Sequence, residues 1–256
     1  MITTIVVCVI AGLGAGIGTG LAGLSAAAVI SPMLITFLNF PAYEAVGIAL
    51  ASDVLASAIS AYTYGKNKNL DIKNGFVMLC SVLAFTVVGS VIASKVPNTT
   101  MGGFSVLMTF VLGIKFIVRP VMTTKDIFAQ KSQRQRIIQS LLCGVVIGFI
   151  CGFVGAGGGM MMLLILTSIL GYELKTAVGT SVFIMTFTAF TGAASHMAID
   201  GWPDPAALMI CIIATLAGAR AAALFANKAE PKALNRITGA VLAVLGAIMI
   251  AVNLLG

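Results

Sequence analysis

The chain alternates long apolar runs with short polar loops. The runs fall at about 5–38, 42–64, 76–94, 101–118, 141–170, 176–199, 205–227 and 237–255. Apolar stretches of about 18 residues or more with few charges are membrane-span candidates. No charged side chain occurs between Met1 and Tyr43, or between Ile137 and Tyr172. The expected fold is therefore an all-α integral membrane protein. The one extended polar stretch, 119–140, divides it into a first membrane repeat, 1–118, a cytoplasmic linker, and a second membrane repeat, 141–256.

Runs 5–38 and 141–170 are unusual. At about 1.5 Å per residue the first reaches about 51 Å, against a hydrocarbon core of about 30 Å. Each carries small residues in its middle, Gly20-Leu-Ala-Gly-Leu-Ser-Ala-Ala-Ala28 and Gly152-Phe-Val-Gly-Ala-Gly-Gly-Gly159. Glycine weakens a helix and suits a turn. Each run is expected to be two short helices with a break between them.

The halves are related by a shift of 132 positions. Gly12 then meets Gly144, Gly16 meets Gly148, Gly20 meets Gly152, Gly23 meets Gly155 and Gly47 meets Gly179. Internal repeats are a common construction of secondary transporters. Loop charges bear on the topology. If each long run crosses once, the loop lysines and arginines divide poorly, eight against five. If each long run returns the chain to its starting side, Lys95 stands alone and the other loop cations share the opposite face; Lys115 and Arg220 lie within runs. The second arrangement satisfies the positive-inside rule. It predicts two inverted-topology repeats with up to ten crossings and both termini outside.

Composition agrees. The chain is 59% hydrophobic and 9% charged, where soluble domains carry about 25% charge. The net charge of +7 sits in loops and reports orientation, not nucleic-acid binding. No basic n-region opens the chain, so no removable signal peptide is expected. The five cysteines lie within apolar runs without a C-x-x-C spacing, as small buried hydrophobes do. The lone His196 reads as an interfacial residue, and no metal or cofactor site is expected. No Walker A motif is present to supply ATP.

The candidate chemistry lies at the breaks. Gly155, Gly157, Gly158 and Gly159 in one run, and Gly23, Ser25, Ala26 and Ala27 in the other, would leave backbone N–H groups free at a helix N-terminus, which suits an anion. Small residues also permit close helix packing, the competing reading. Ser52, Thr180 and Ser181 follow the Val-Gly pairs of the two halves. Their hydroxyls reach either an oxyanion or the preceding turn of their own helix. Asp53 lies midway along an apolar run, where carboxylates are rare and usually functional. It reads as a proton-coupling group, or as a permanently protonated acid bonded to backbone or Ser52.

With Gly155-Ala-Gly-Gly-Gly159, Ala177-Val-Gly-Thr-Ser181 and the repeated halves, the chain resembles the TauE/SafE sulfite exporter family over nearly its whole length. The resemblance implies a multi-pass carrier in the plasma (inner) membrane of a prokaryote, moving sulfite, a sulfonate or a related sulfur anion. A proton or another cation is the expected coupling partner, the lipid bilayer the expected surroundings. The alternatives are a membrane thiol-redox protein and a passive anion channel. The first half has Ser25-Ala26-Ala27 where the second has three glycines, so the two breaks differ.

Overall fold

The computed structural model describes residues 2–96, 132–154 and 165–230, with 114, 118, 159, 162, 163, 233, 236, 237, 240, 243, 244 and 247 as single positions. Among these residues the structure is helical and contains no strand. The helices are α1 (Ile2–Ala22), α2 (Ala27–Leu38), α3 (Ala42–Lys66), α4 (Ile72–Ala93), α5 (Gln133–Val154), α6 (Leu174–Asp200) and α7 (Pro205–Lys228). A π-helical segment, Ile165–Leu170, precedes α6. Six of the helices are long and apolar enough to cross a membrane, all except α2. At 12 residues, α2 reaches only about 18 Å.

The outer surface is apolar, as a lipid-facing surface requires. Leu142 is 64% exposed and Ile213 63%. The interior holds small residues and hydroxyls, including Thr19, Ser25, Ser52, Ser57, Ser60 and Thr86. Without a hydrophobic drive between helices in lipid, close packing through small residues takes its place.

Two glycine stripes carry that packing. A side chain at Gly12 would meet Cys211 and Ala214, at Gly16 Thr215 and Ala219, and at Gly20 Ala219 and Ala222. The positions rise together, so α1 and α7 run in the same direction. Likewise Gly144 faces Met78 and Ser81, Gly148 faces Val82, and Gly152 faces Thr86 and Ser90, which makes α5 parallel to α4. Helices α3 and α6 cross in opposite directions, with Gly47 beside His196 and Gly179 beside Tyr64. Thus α1, α3 and α7 run one way, and α4, α5 and α6 the other. Because α1 and α3 share a direction, α2 must carry the chain back between them.

Replacing Gly148 with alanine is expected to weaken the α4–α5 contact by about 1–3 kcal/mol, the usual cost of overpacking. The added carbon would lie 2.9 Å from Val82 Cα, with backbone on that side that has no rotamer to move. The check is the thermal midpoint of the purified variant, which should fall.

Candidate functional site

The break in the first run lies at residues 23–26. Gly23 ends α1 in the left-handed region, φ +62°, which glycine adopts without a Cβ penalty. Its N–H bonds the Thr19 carbonyl at 2.9 Å, and Leu24 N–H reaches back to the Gly18 carbonyl at 3.4 Å. The chain then turns into α2. The Ser25 hydroxyl accepts from Ala27 N–H at 3.3 Å, partly satisfying the orphan donors that open a helix.

Asp53 faces this break from the middle of α3. It is fully buried. Ser25 Oγ donates to its Oδ2 at 3.0 Å, and Ser57 Oγ donates to its Oδ1 at 2.8 Å. Ala26 N–H and the Thr19 hydroxyl also bear on the carboxyl. The carboxyl therefore occupies the N-terminal end of α2, where free amides and the helix dipole favour negative charge.

Magnitudes show why this is workable. An ionised side chain at a bilayer centre costs from about 3 kcal/mol upward. Hydrogen bonds to a charged group return about 1.5–3 kcal/mol each. The donors on Asp53 offset part of that cost.

The second run arrives at the same place. A side chain at Gly159 would overlap the Ser25 amide nitrogen and lie 2.8 Å from Leu24 C and 2.8 Å from Met185 Sδ. Gly159 thus packs directly on the first break. Ser181 completes the contact from α6, its hydroxyl donating to the Gly23 carbonyl at 3.0 Å. Met185 lies 132 positions after Asp53, so a thioether takes the carboxyl's place in the second half.

The candidate residues from the sequence therefore separate. Gly23, Ser25, Ala26, Ala27, Asp53, Gly159 and Ser181 converge. Gly155, Gly157 and Gly158 lie outside the described residues. Ser52 points elsewhere, its hydroxyl donating to the Ile48 carbonyl of its own helix at 2.8 Å. Thr180 lies apart as well, its Oγ1 accepting from Asp71 N–H at 3.1 Å in the α3–α4 loop. Sequence reading missed Ser57 and Thr19. Ser57 was legible in principle, since it lies one helical turn after Asp53 on the same face. Thr19 was not, because only the packing of α1 against α3 brings it to Asp53.

Among the described residues, hydroxyls and an amide attend Asp53; Lys115 lies outside the described residues and Arg220 is exposed. His196 is 2% exposed, buried between helices near the end of α6. Cys8, Cys151 and Cys211 are buried free thiols, whereas Cys80 is exposed. Among the described residues no group of histidine, cysteine, aspartate or glutamate is placed to hold a metal ion.

Comparison with known proteins bears on this arrangement. The chain is 26% identical to the probable membrane transporter protein YunE of Bacillus subtilis, over 94% of this chain and 95% of that protein. It is 23% identical to the probable membrane transporter protein YdhB of the same organism, over 83% of this chain and 86% of that protein. A probable membrane transporter protein of the archaeon Methanocaldococcus jannaschii is 23% identical, over 94% of each chain. No solved structure matches. The profile described as Sulfite exporter TauE/SafE matches residues 8–249, and with it the chain belongs to the TauE/SafE sulfite exporter family of membrane transporters.

Proposed function

We propose that this protein is a proton-coupled secondary carrier for a small sulfur-containing anion, such as sulfite or a sulfonate, in the plasma membrane of a prokaryote. The observation that carries the reading is the placement of the Asp53 carboxyl on the N-terminus of α2. The donors that hold this carboxylate, Ser25 Oγ and Ala26 N–H, are those an incoming oxyanion would use. While Asp53 is ionised, it fills the site and repels a second negative charge. A proton on Asp53 removes the repulsion and frees the donors. Anion and proton then bind together and leave together, which is coupling in thermodynamic terms. Small anions suit this site because its walls, Gly23, Ala26, Ala27 and Gly159, contribute little side-chain bulk.

The architecture proposed with it is a pair of inverted repeats, the second opening with α5 at Gln133, joined by a cytoplasmic linker. The opposite directions of α1 and α5, and the matched stripes Gly12-Gly16-Gly20 and Gly144-Gly148-Gly152, support it. In this arrangement both termini and the loop 201–204 face outward. A variant lacking the native cysteines and carrying Trp202→Cys should react with an impermeant thiol reagent in intact cells, whereas Lys228→Cys should not. The reverse pattern would refute the topology.

Transport is tested in proteoliposomes. An inward proton gradient should drive accumulation of labelled sulfite or of a sulfonate such as isethionate above equilibrium. Equilibration without accumulation would identify a passive channel. Transport of sulfate but of no sulfite or sulfonate would overturn the substrate class.

A further inference from the structure

A second buried titratable group lies away from Asp53. His196 stacks on Tyr43, with ring centroids 4.0 Å apart and planes 25° apart. Its Nδ1 lies 3.3 Å from the Tyr43 carbonyl oxygen. Its Nε2 faces the Gly152 carbonyl without closing a hydrogen bond to it. The imidazole is therefore held between two acceptors.

A neutral imidazole has one N–H. The Tyr43 carbonyl takes it, which leaves the lone pair of Nε2 directed at a carbonyl oxygen. This mismatch is what leaves the contact open. An imidazolium donates from both nitrogens, so one proton turns it into a second hydrogen bond. The stacked Tyr43 ring also favours a cation at this distance.

A water-accessible pocket of about 140 Å³ lies beside the ring, lined by Tyr43, Glu44, Gly47, His196, Asp200 and Trp202, among others. The charged groups facing it are Glu44 from α3 and Asp200 from α6; the pocket lining contains no lysine or arginine. Asp204 at the start of α7 is tied to Glu44, which accepts from its N–H at 3.0 Å. From α4, Ser90 contributes only a hydroxyl, which shares the Gly152 carbonyl at 3.4 Å.

The repeat gives the contact a meaning. His196 and Gly152 lie 132 positions after Tyr64 and Gly20. In the first half the Tyr64 hydroxyl donates to the Gly20 carbonyl at 3.1 Å. That bond ties the end of α1, just before its break, to α3. The second half places an ionisable ring at the position of the phenol, facing the equivalent carbonyl with the bond still open.

The geometry points to His196 as a second proton-binding site, whose imidazolium bonds the Gly152 carbonyl and ties the end of α5 to α3 and α6. The proton comes from water through the pocket and goes to Nε2; no other bond forms or breaks. Protonation ties the end of α5 to its neighbours, as Tyr64 ties the end of α1 permanently in the first half. The carrier reading supplies the purpose of this latch, but the proton binding stands apart from it.

His196 is the only histidine of the chain, so nitrogen NMR of histidine-labelled protein without a histidine tag reports this ring alone. At about pH 8 the ring should be the Nδ1–H tautomer. On acidification it should become imidazolium, with an Nε2–H slow to exchange with water. A ring that keeps one protonation state throughout, a neutral form protonated at Nε2, or a freely exchanging Nε2–H would each overturn the assignment. In proteoliposomes His196→Gln should flatten part of the pH profile of transport; an unchanged profile would remove the latch from transport. Asp53→Asn should leave the ring titration intact. Normal accumulation by Asp53→Asn with a titrating ring would refute the Asp53 coupling alone.

Discussion

Asp53→Asn is expected to abolish proton-driven accumulation while leaving anion exchange measurable. The amide keeps the size of the carboxyl but cannot ionise. It neither repels the anion nor loads a proton, so the site is always open to substrate and the gradient has nothing to act on. Counterflow of labelled against unlabelled anion should persist in proteoliposomes, and concentration of the anion by an imposed pH gradient should vanish. Full pH-dependent accumulation by the variant would take Asp53 out of the mechanism. Ser57→Ala makes a graded companion. It removes the donor on Oδ1 and keeps the acid, so it should shift the pH at which transport is half-maximal without eliminating accumulation.

Gly159→Ala is expected to reduce transport by about a hundredfold, as displacement of a binding geometry by about 1 Å does, while the protein still inserts. The new methyl group would press on the Ser25 amide and on Leu24 C. Those atoms are backbone, so relief comes only by moving the break, and with it the donors on Asp53. Gly159→Leu should abolish transport altogether. The control is amount and monodispersity in detergent, which should remain near wild type for the alanine variant. An alanine variant that folds and transports at the wild-type rate would show Gly159 to be a packing residue.

The break in the first run was legible only in part. Gly20 to Ala28 announced a break by composition, and α1 does end at Ala22 with Gly23 in the left-handed region. The same composition did not distinguish packing from binding glycines. Gly12, Gly16 and Gly20 resemble Gly23 in sequence, but the first three lie against α7 and only Gly23 turns the chain. Spacing gives the reason in retrospect: residues four apart share one helix face, so the evenly spaced three form a stripe. Hydroxyls were harder still. Ser52 and Ser57 are both buried on α3, yet one bonds its own helix and the other Asp53.

The sequence alone determined that this chain is an all-helical membrane protein, that its first long run is interrupted near Gly23, and that Asp53 is the exceptional residue. These follow from quantities that add along the chain: apolar run length, glycine content and the cost of a charge in hydrocarbon. Only the tertiary structure decided that Asp53 sits on the amides opening α2, that Gly159 arrives there from the other half, and that His196 is buried between two carbonyls. Those are contacts between residues tens to more than a hundred positions apart, on helices whose mutual packing no local pattern encodes. In a membrane each also depends on which small residues let two backbones approach, and that is a property of the packed pair of helices, not of either one.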